Sequence, residues 1–224
     1  MKDVSPASYT DHKNTEFFDT WADKYDTFRL SEWFRYTQQL SIQHFNIAPG
    51  AHILDVGCGT GSAVLYFASM ADVDRACGID ISGKMLEIAR QRLADSLKGK
   101  VEFVQSSSQS IPYGDNTFDH ILCTNSFHHY ADPLAALGEM KRVLKPGGEL
   151  VIFENAPDLS LYTWAWDRLL RVFERGHVRY LPSKELGELI KEADFKDWQL
   201  RVLRNEFLTY GKLFASIQIW HAHA

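Results

Sequence analysis

The stretch ILDVGCGTG, residues 53–61, constrains this chain more than any other. A run of strand-forming residues passes straight into three glycines spaced two apart, Gly57, Gly59 and Gly61. A turn this bare suits a place where a ligand must approach the main chain closely. The helical pattern SAVLYFASMA follows, completing one βα unit. The unit then repeats. ACGID leads into SGKMLEIARQRLADSL, with Ser82 as N-cap, Gly99 beyond the end, and Leu86, Ala89, Leu93 and Leu97 along one face. VEFVQ reads as a third strand, followed by a serine-rich loop and the turn YGDN. FDHILCT, a fourth strand, leads into a helix capped by Asp132 with Pro133 in its first turn. KPGG ends that helix, and ELVIFEN is a fifth strand. The alternation predicts an α/β fold with a doubly wound, mostly parallel sheet.

The flanks differ. Residues 1–14 are polar and read as a loose end, and the aromatic helices TEFFDTWADKYDTF and SEWFRYTQQLSIQHF follow, the second with Ser31 as N-cap. Beyond Pro157 come the helix LSLYTWAWDRLLRVFER, the helix SKELGELIKEA after Pro182, and two strand-like runs, WQLRVLR and FASIQIWHAHA. Those runs are close enough to form an antiparallel hairpin at the sheet edge, giving seven strands. The expected plan is one domain over 1–224. It has a helical lid at 15–47, a core at 51–156, cap helices at 157–196 and terminal strands at 197–224. A chain of 224 residues is long enough for one sizeable core, and its net charge of −5 argues against a nucleic-acid partner. Cys58, Cys77 and Cys123 form no CxxC pair and fit a reducing compartment without a metal framework. No apolar run reaches the ~18 residues of a membrane span. MKDVSPASYT lacks the apolar core of a signal peptide, so the expected compartment is the cytoplasm.

In an open α/β sheet, ligands lie beyond the carboxyl ends of the strands, where helix N-termini offer unpaired N–H groups. The glycine turn is the first such place. The dinucleotide fingerprint would need glycine at position 62, which is Ser62, and no GxxxxGK[ST] phosphate loop is present. A nicotinamide-dependent oxidoreductase is therefore disfavoured. Asp80 ends the second strand, 19 positions beyond Gly61, where a carboxylate accepts hydrogen bonds from ribose hydroxyls. These features suggest an adenosine-like ligand without a pyrophosphate.

ILDVGCGTG, GIDIS, IPYGDNTFD, NSFHHYADP and RVLKPGGELVI occur in that order. Over residues 15–156 the chain closely resembles the class I S-adenosylmethionine-dependent methyltransferases, in particular the small-molecule group that includes the ubiquinone and menaquinone biosynthesis enzymes. The resemblance implies the Rossmann-like methyltransferase fold, with S-adenosyl-L-methionine as cofactor and S-adenosyl-L-homocysteine as product. It implies that Asp55, Gly57, Cys58, Gly59 and Gly61 meet the methionine end, that Asp80 binds the ribose, and that Ile81 and Met85 lie against the adenine. Relatives often carry an acidic residue in the loop after the third strand. Here Ser107 stands in that place, with Ser108 and Gln109 beside it. Asn125 would hold the cofactor's ammonium, and Tyr25 would close over the cofactor.

Methyl transfer from a sulfonium is an in-line displacement whose electrophile is activated by its own charge. The protein's tasks are alignment and exclusion of water, with a base where the acceptor must lose a proton. His128 and His129 are base candidates, the alternative being that they only hydrogen-bond the loop. Glu154, ending the fifth strand, is a candidate for orienting the acceptor or for capping. Cys58 reads as a small filler. Tyr162, Trp166 and Arg168 are candidates for the acceptor pocket, the alternatives being packing for the aromatics and a solvated basic stripe for Arg168, Arg171 and Arg175. His221 and His223 read as exposed strand residues rather than metal ligands. The expected partner is a small-molecule acceptor of a methyl group on O, N or C, with no nucleic acid and no metal. A cofactor-binding regulator without turnover is the alternative.

Overall fold

The structure, a computed structural model, describes residues 6–25, 31–173, 177–204 and 216–224. Seven strands form one sheet: β1 (Ala51–Val56), β2 (Val73–Asp80), β3 (Val101–Gln105), β4 (Phe118–Thr124), β5 (Leu144–Asn155), β6 (Lys196–Arg204) and β7 (Ser216–His223). Their order is β3-β2-β1-β4-β5-β7-β6. Every pairing is parallel except those of β7, which runs antiparallel to β5 and to β6. The terminal hairpin therefore forms as expected, with its second strand slotted between β5 and β6. Among the described residues seven α-helices accompany the sheet: α1 (Pro6–Tyr25), α2 (Ser31–Ile42), α3 (Ser62–Ser69), α4 (Gly83–Gln91), α5 (Pro133–Val143), α6 (Leu161–Phe173) and α7 (Ser183–Glu192).

The central strands read as nearly continuous apolar runs because both faces are covered. Ile53, Leu122 and Val151 face Ile42 of α2, Ala63, Val64 and Phe67 of α3, and Leu86 and Ala89 of α4. On the other face Leu54, Val56, Ile121 and Ile152 meet Leu137, Met140 and Val143 of α5 and Leu186 and Ile190 of α7. Phe67, Phe118, Phe127 and Phe153 are fully buried, each contributing about 1.5–3 kcal/mol. The caps form as read: Ser82 Oγ accepts from Met85 N at 3.1 Å, and Asp132 Oδ1 accepts from Ala135 N at 2.9 Å.

Three boundaries move. α1 begins at Pro6, so the described part of the polar segment expected to be loose, residues 6–14, is helical. α4 ends at Gln91 rather than 97, and a 3-10 turn at Asp95–Leu97 brings the chain round into β3 while Leu97 still reaches the core. The KPGG segment already belongs to β5. The expected helix end at Asp26–Phe28, Arg175, and the start of the last strand at Phe214 and Ala215 lie outside the described residues. Among the described residues no helix is long and apolar enough to cross a membrane.

Candidate active site

β1 ends in a turn stitched to β2, where Gly57 N and Cys58 N both donate to Ile79 O, at 2.8 and 3.0 Å. The glycines have φ of +78°, +52° and +77°, values that L side chains rarely adopt. Each also meets a different neighbour. A Cβ on Gly57 would lie 2.0 Å from Ser126 Oγ, and one on Gly61 would lie 2.7 Å from the Phe103 ring and 2.9 Å from Ala89 Cβ. A Cβ on Gly59 would meet no protein atom within 4 Å, because it would point into the cleft that this residue lines. Only the middle glycine is bare toward a ligand; the outer two are bare to let the fold close.

Asp80, at the end of β2, accepts from Gly59 N on one oxygen (2.8 Å) and from Ser82 N on the other (2.9 Å). It thus joins the glycine turn to the start of α4 and keeps lone pairs for further donors. Burial raises its carboxyl above the usual range, partly offset by those N–H bonds. Asp55 is buried behind the turn and does not line the cleft. Burial, and then the charge of Asp80, push its carboxyl up to about 8. Cys58 fills the space beside Gly78, whose Cβ would lie 2.7 Å from its sulfur, and burial holds its thiol well above the usual range.

The cleft and its open mouth together span about 780 Å³. Its walls bring together eleven expected residues: Tyr25, Gly57, Cys58, Gly59, Asp80, Ile81, Met85, Ser107, Ser108, Asn125 and His129. Asn125 has a φ of +52°, tolerated by its short polar side chain, and donates from Nδ2 to Thr37 Oγ1 at 2.7 Å. Tyr25 stacks on Phe34 of α2 at 5.2 Å.

α1 borders the opening, with contacts that begin at Asp11, ahead of the lid expected from Thr15. Asp11 Oδ2 accepts from Ser107 Oγ at 2.8 Å, Asn14 Nδ2 donates to His129 O at 2.8 Å, and Asp19 Oδ1 accepts from Ser82 Oγ at 2.6 Å. Phe18 meets the His129 ring edge-on at 4.8 Å. Phe18, one of the aromatics that could form a lid, lines the cleft; Asp11, Asn14, Gln38, Thr124, Ser126 and Tyr130 also line it and were missed. Ser126 and Tyr130 flank the two histidines in NSFHHY and were open to discovery. Asn14 and Gln38 carry no such signal.

Other expected residues fall outside this lining. Gly61 faces Phe103 and Ala89, and Gln109 reaches Asp11 Oδ1 at 3.4 Å from outside. Tyr162 and Arg168 stand on the exposed face of α6, Arg168 over the Trp164 ring at 5.4 Å, because α6 turns Thr163 and Asp167 inward. Trp166 is half-buried and also away from the cleft. His128 and Glu154 form a buried pair behind His129, with Nδ1 and Oε2 2.8 Å apart. Glu154 also accepts from Asn155 N at 3.0 Å and His128 N at 3.2 Å. Burial pushes its carboxyl up to about 7, while burial and nearby His177 hold the His128 imidazolium well below the usual range. The His128 and His129 rings are 3.9 Å apart.

A second layer, also missed, lies behind this pair. His177 has its ring 5.1 Å from His128 and 6.3 Å from His129, and its Nε2 is 2.9 Å from Asp167 Oδ1. Asp167 accepts from Tyr180 N at 2.8 Å and pairs with Arg171. Burial works to raise its carboxyl, but the bonds from His177, Tyr180 N and Arg171 hold it below the usual range. His177 also lines a groove between α1 and α6, with Phe17, Thr20, Arg171 and Val172.

Residues 54–152 match the family described as a methyltransferase domain. The chain is 35% identical over 154 residues to a demethylmenaquinone methyltransferase of Symbiobacterium thermophilum, covering 66% of this chain and 61% of that one. It is 31% identical over 186 residues to an O-methyltransferase of Penicillium expansum, covering 80% and 64%. It thus spans less than two thirds of the length of either curated relative. Phosphoethanolamine N-methyltransferase 2 of Haemonchus contortus, solved with S-adenosylhomocysteine and a phosphorylated amine, superposes with a TM-score of 0.72 at 18% identity, covering 99% of this chain and 60% of that one. Sheet order, glycine turn, motif order and relatives agree: the chain carries a class I S-adenosylmethionine-dependent methyltransferase domain.

Proposed function

We propose that this chain transfers a methyl group from S-adenosylmethionine to a small-molecule nucleophile. The observation that carries the reading is the convergence on one cleft of Gly59, which faces it without a Cβ, and the half-buried Asp80 carboxylate. These residues fit the cofactor. Asp80 would accept from the ribose hydroxyls, Ile81 and Met85 would border the adenine, and the Gly57–Gly59 main chain and Asn125 would meet the amino-acid end. When bound, the cofactor supplies a methyl group made electrophilic by the sulfonium charge. α1 and α2 exclude water by covering the cleft. His129, which lines it, is the base available to an acceptor proton, and His128, Glu154 and Asn14 position that ring. The acceptor approaches along the α1–α6 groove, on whose wall His177 stands. The relatives are named for acting on different acceptors, so the family leaves the methylated atom open, and they lend no support to a binding-only protein.

Two variants test this reading. Asp80→Ala is expected to weaken S-adenosylhomocysteine binding by about 100-fold in calorimetry, from lost hydrogen bonds to a charged acceptor. Unchanged affinity overturns the cofactor assignment. His129→Gln is expected to keep that affinity and to lose about 10²–10⁴-fold in turnover of labelled cofactor with phenol or amine acceptors. Equal turnover by wild type and variant removes His129 as the base.

A further inference from the structure

At the end of the sheet opposite the cleft, strand register builds a second polar cluster. His120 of β4 lies beside Glu149 of β5, and Glu149 lies opposite His223 of β7. Residues in register on neighbouring strands project to one face, as do residues two apart on one strand, which adds His221. Three imidazoles and one carboxylate therefore share a patch about 16 Å along β5 from Glu154, at ~3.3 Å per residue. His221 and His223, read from the sequence as exposed, are half-buried. Their rings are 5.0 Å apart.

We propose that Glu149, His221 and His223 bind a zinc-class divalent cation, with His120 as the positioning residue that abuts the Glu149 carboxylate. One ligand atom from each of the three lies within 4.8 Å of the others. Glu149 Oε1 and His221 Nε2 are 3.5 Å apart, close to the ~3.4 Å between neighbouring ligands around a tetrahedral ion with bonds of about 2.1 Å. The hydrogen-bond account supports the same conclusion. Among the described residues, His120 Nδ1, Glu149 Oε2 and His221 Nε2 are buried and lack a hydrogen-bond partner. His120 Nδ1 stands 2.8 Å from Glu149 Oε2 without the alignment of a hydrogen bond. Leaving His221 Nε2 unsatisfied is costly, and a cation shared with Glu149 and His223 satisfies it, while Glu149 Oε2 and His120 Nδ1 stay side by side. Two imidazole nitrogens and one carboxylate oxygen suit zinc, whereas calcium and magnesium favour oxygen ligands throughout. The ion would fasten β7 to β5, a structural clasp remote from methyl transfer and independent of the activity proposed above.

The full-length chain, stripped with chelator, is titrated with zinc by calorimetry and with cobalt by visible absorption. The expected result is one saturable equivalent and the intense band of four-coordinate cobalt, displaced by zinc. The thermal midpoint is expected to rise by about 5–10 °C at a zinc concentration of ~100 times Kd. His221→Asn with His223→Asn is expected to abolish binding, and His120→Asn to weaken it about 10–100-fold. Should these variants not fold, imidazole ¹⁵N NMR of the wild type reads the same ligands, with zinc shifting His221 and His223. No saturable binding, binding retained in the folded double variant, or shifts confined to other histidines each overturns the proposal.

Discussion

The two halves of the cleft are made of different material. On the β1–β2 side the surface is main chain: glycines in a left-handed turn, held by Asp80 through Gly59 N and Ser82 N. On the β4–β5 side it is titratable side chains: His129 at the surface, His128 and Glu154 behind it, and His177 and Asp167 behind those. The first half binds through main-chain groups that do not titrate, together with the Asp80 carboxylate. The second holds the groups that can move a proton. The main-chain half is written in consecutive residues, whereas the side-chain half draws on residues far apart in the chain.

The largest effect that bears on this contrast comes from two glycines two positions apart. Gly59→Val is expected to place its branches in the cleft, costing about 1–3 kcal/mol of strain at φ +52° but leaving the fold intact. S-Adenosylhomocysteine affinity is expected to fall by roughly 1000-fold or more, equivalent to about 4 kcal/mol. Gly61→Val meets Phe103 and Ala89 instead, so it is expected to lower unfolding free energy by about 2–6 kcal/mol. Calorimetry and urea unfolding of both proteins separate the cases. If both variants lose stability alone, the main-chain half is scaffold and not a binding surface.

A smaller effect probes the electrostatics beneath that surface. The Asp55 carboxyl is raised to about 8 in the folded chain, from 3.8. Between about pH 4 and pH 8 the native state therefore holds a proton that the unfolded state has released. Stability from this group falls as pH rises, by up to about 1.4 kcal/mol per pH unit. Asn is neutral throughout, so Asp55→Asn is expected to gain on the wild type steadily from pH 5 to pH 8 in urea unfolding. Parallel stability curves would show that burial beside Asp80 does not govern Asp55. Weaker cofactor binding by this variant would show that the Asp55 carboxyl is retained for function at a cost in stability.

How far the sequence could be read follows the same division. The glycine turn, Asp80, Ser82 and the strand–helix alternation each depend on neighbouring residues, and all were legible. The hairpin was legible too, but its two runs alone do not say which strand meets β5. α1 was legible only from Thr15. Just before Thr15 it attaches through Asp11 and Asn14, polar contacts that add nothing to an apolar period. The missing apolar signal at Asp167 has the same cause: α6 turns Thr163 and Asp167 inward while exposing Leu161, Val172 and Phe173. In α4, by contrast, Leu93 and Leu97 continued the helical period past its real end, because the 3-10 turn also points Leu97 at the core.

The smallest effect concerns the one place where α1 supplies what the loop after β3 lacks. Relatives often carry an acid in that loop, where this chain has Ser107. Ser107 Oγ donates to Asp11 Oδ2 at 2.8 Å, so a carboxylate from α1 occupies the neighbourhood an acidic loop residue would fill. Asp11 lines the cleft and retains lone pairs for an adenine amino group. Asp11→Asn replaces an acceptor with a donor, and S-adenosylhomocysteine affinity is expected to fall roughly 3–10-fold, the scale of one hydrogen bond. The inosine analogue, which lacks the amino group, is expected to bind wild type and variant alike. Adding Ser107→Asp to Asp11→Asn returns an acid to the loop and is expected to restore the preference for adenine, which a double-mutant cycle reads directly. Equal losses for both nucleosides would mean that Asp11 only ties α1 to the loop. In that case the strap closes the cleft without reading what lies beneath it.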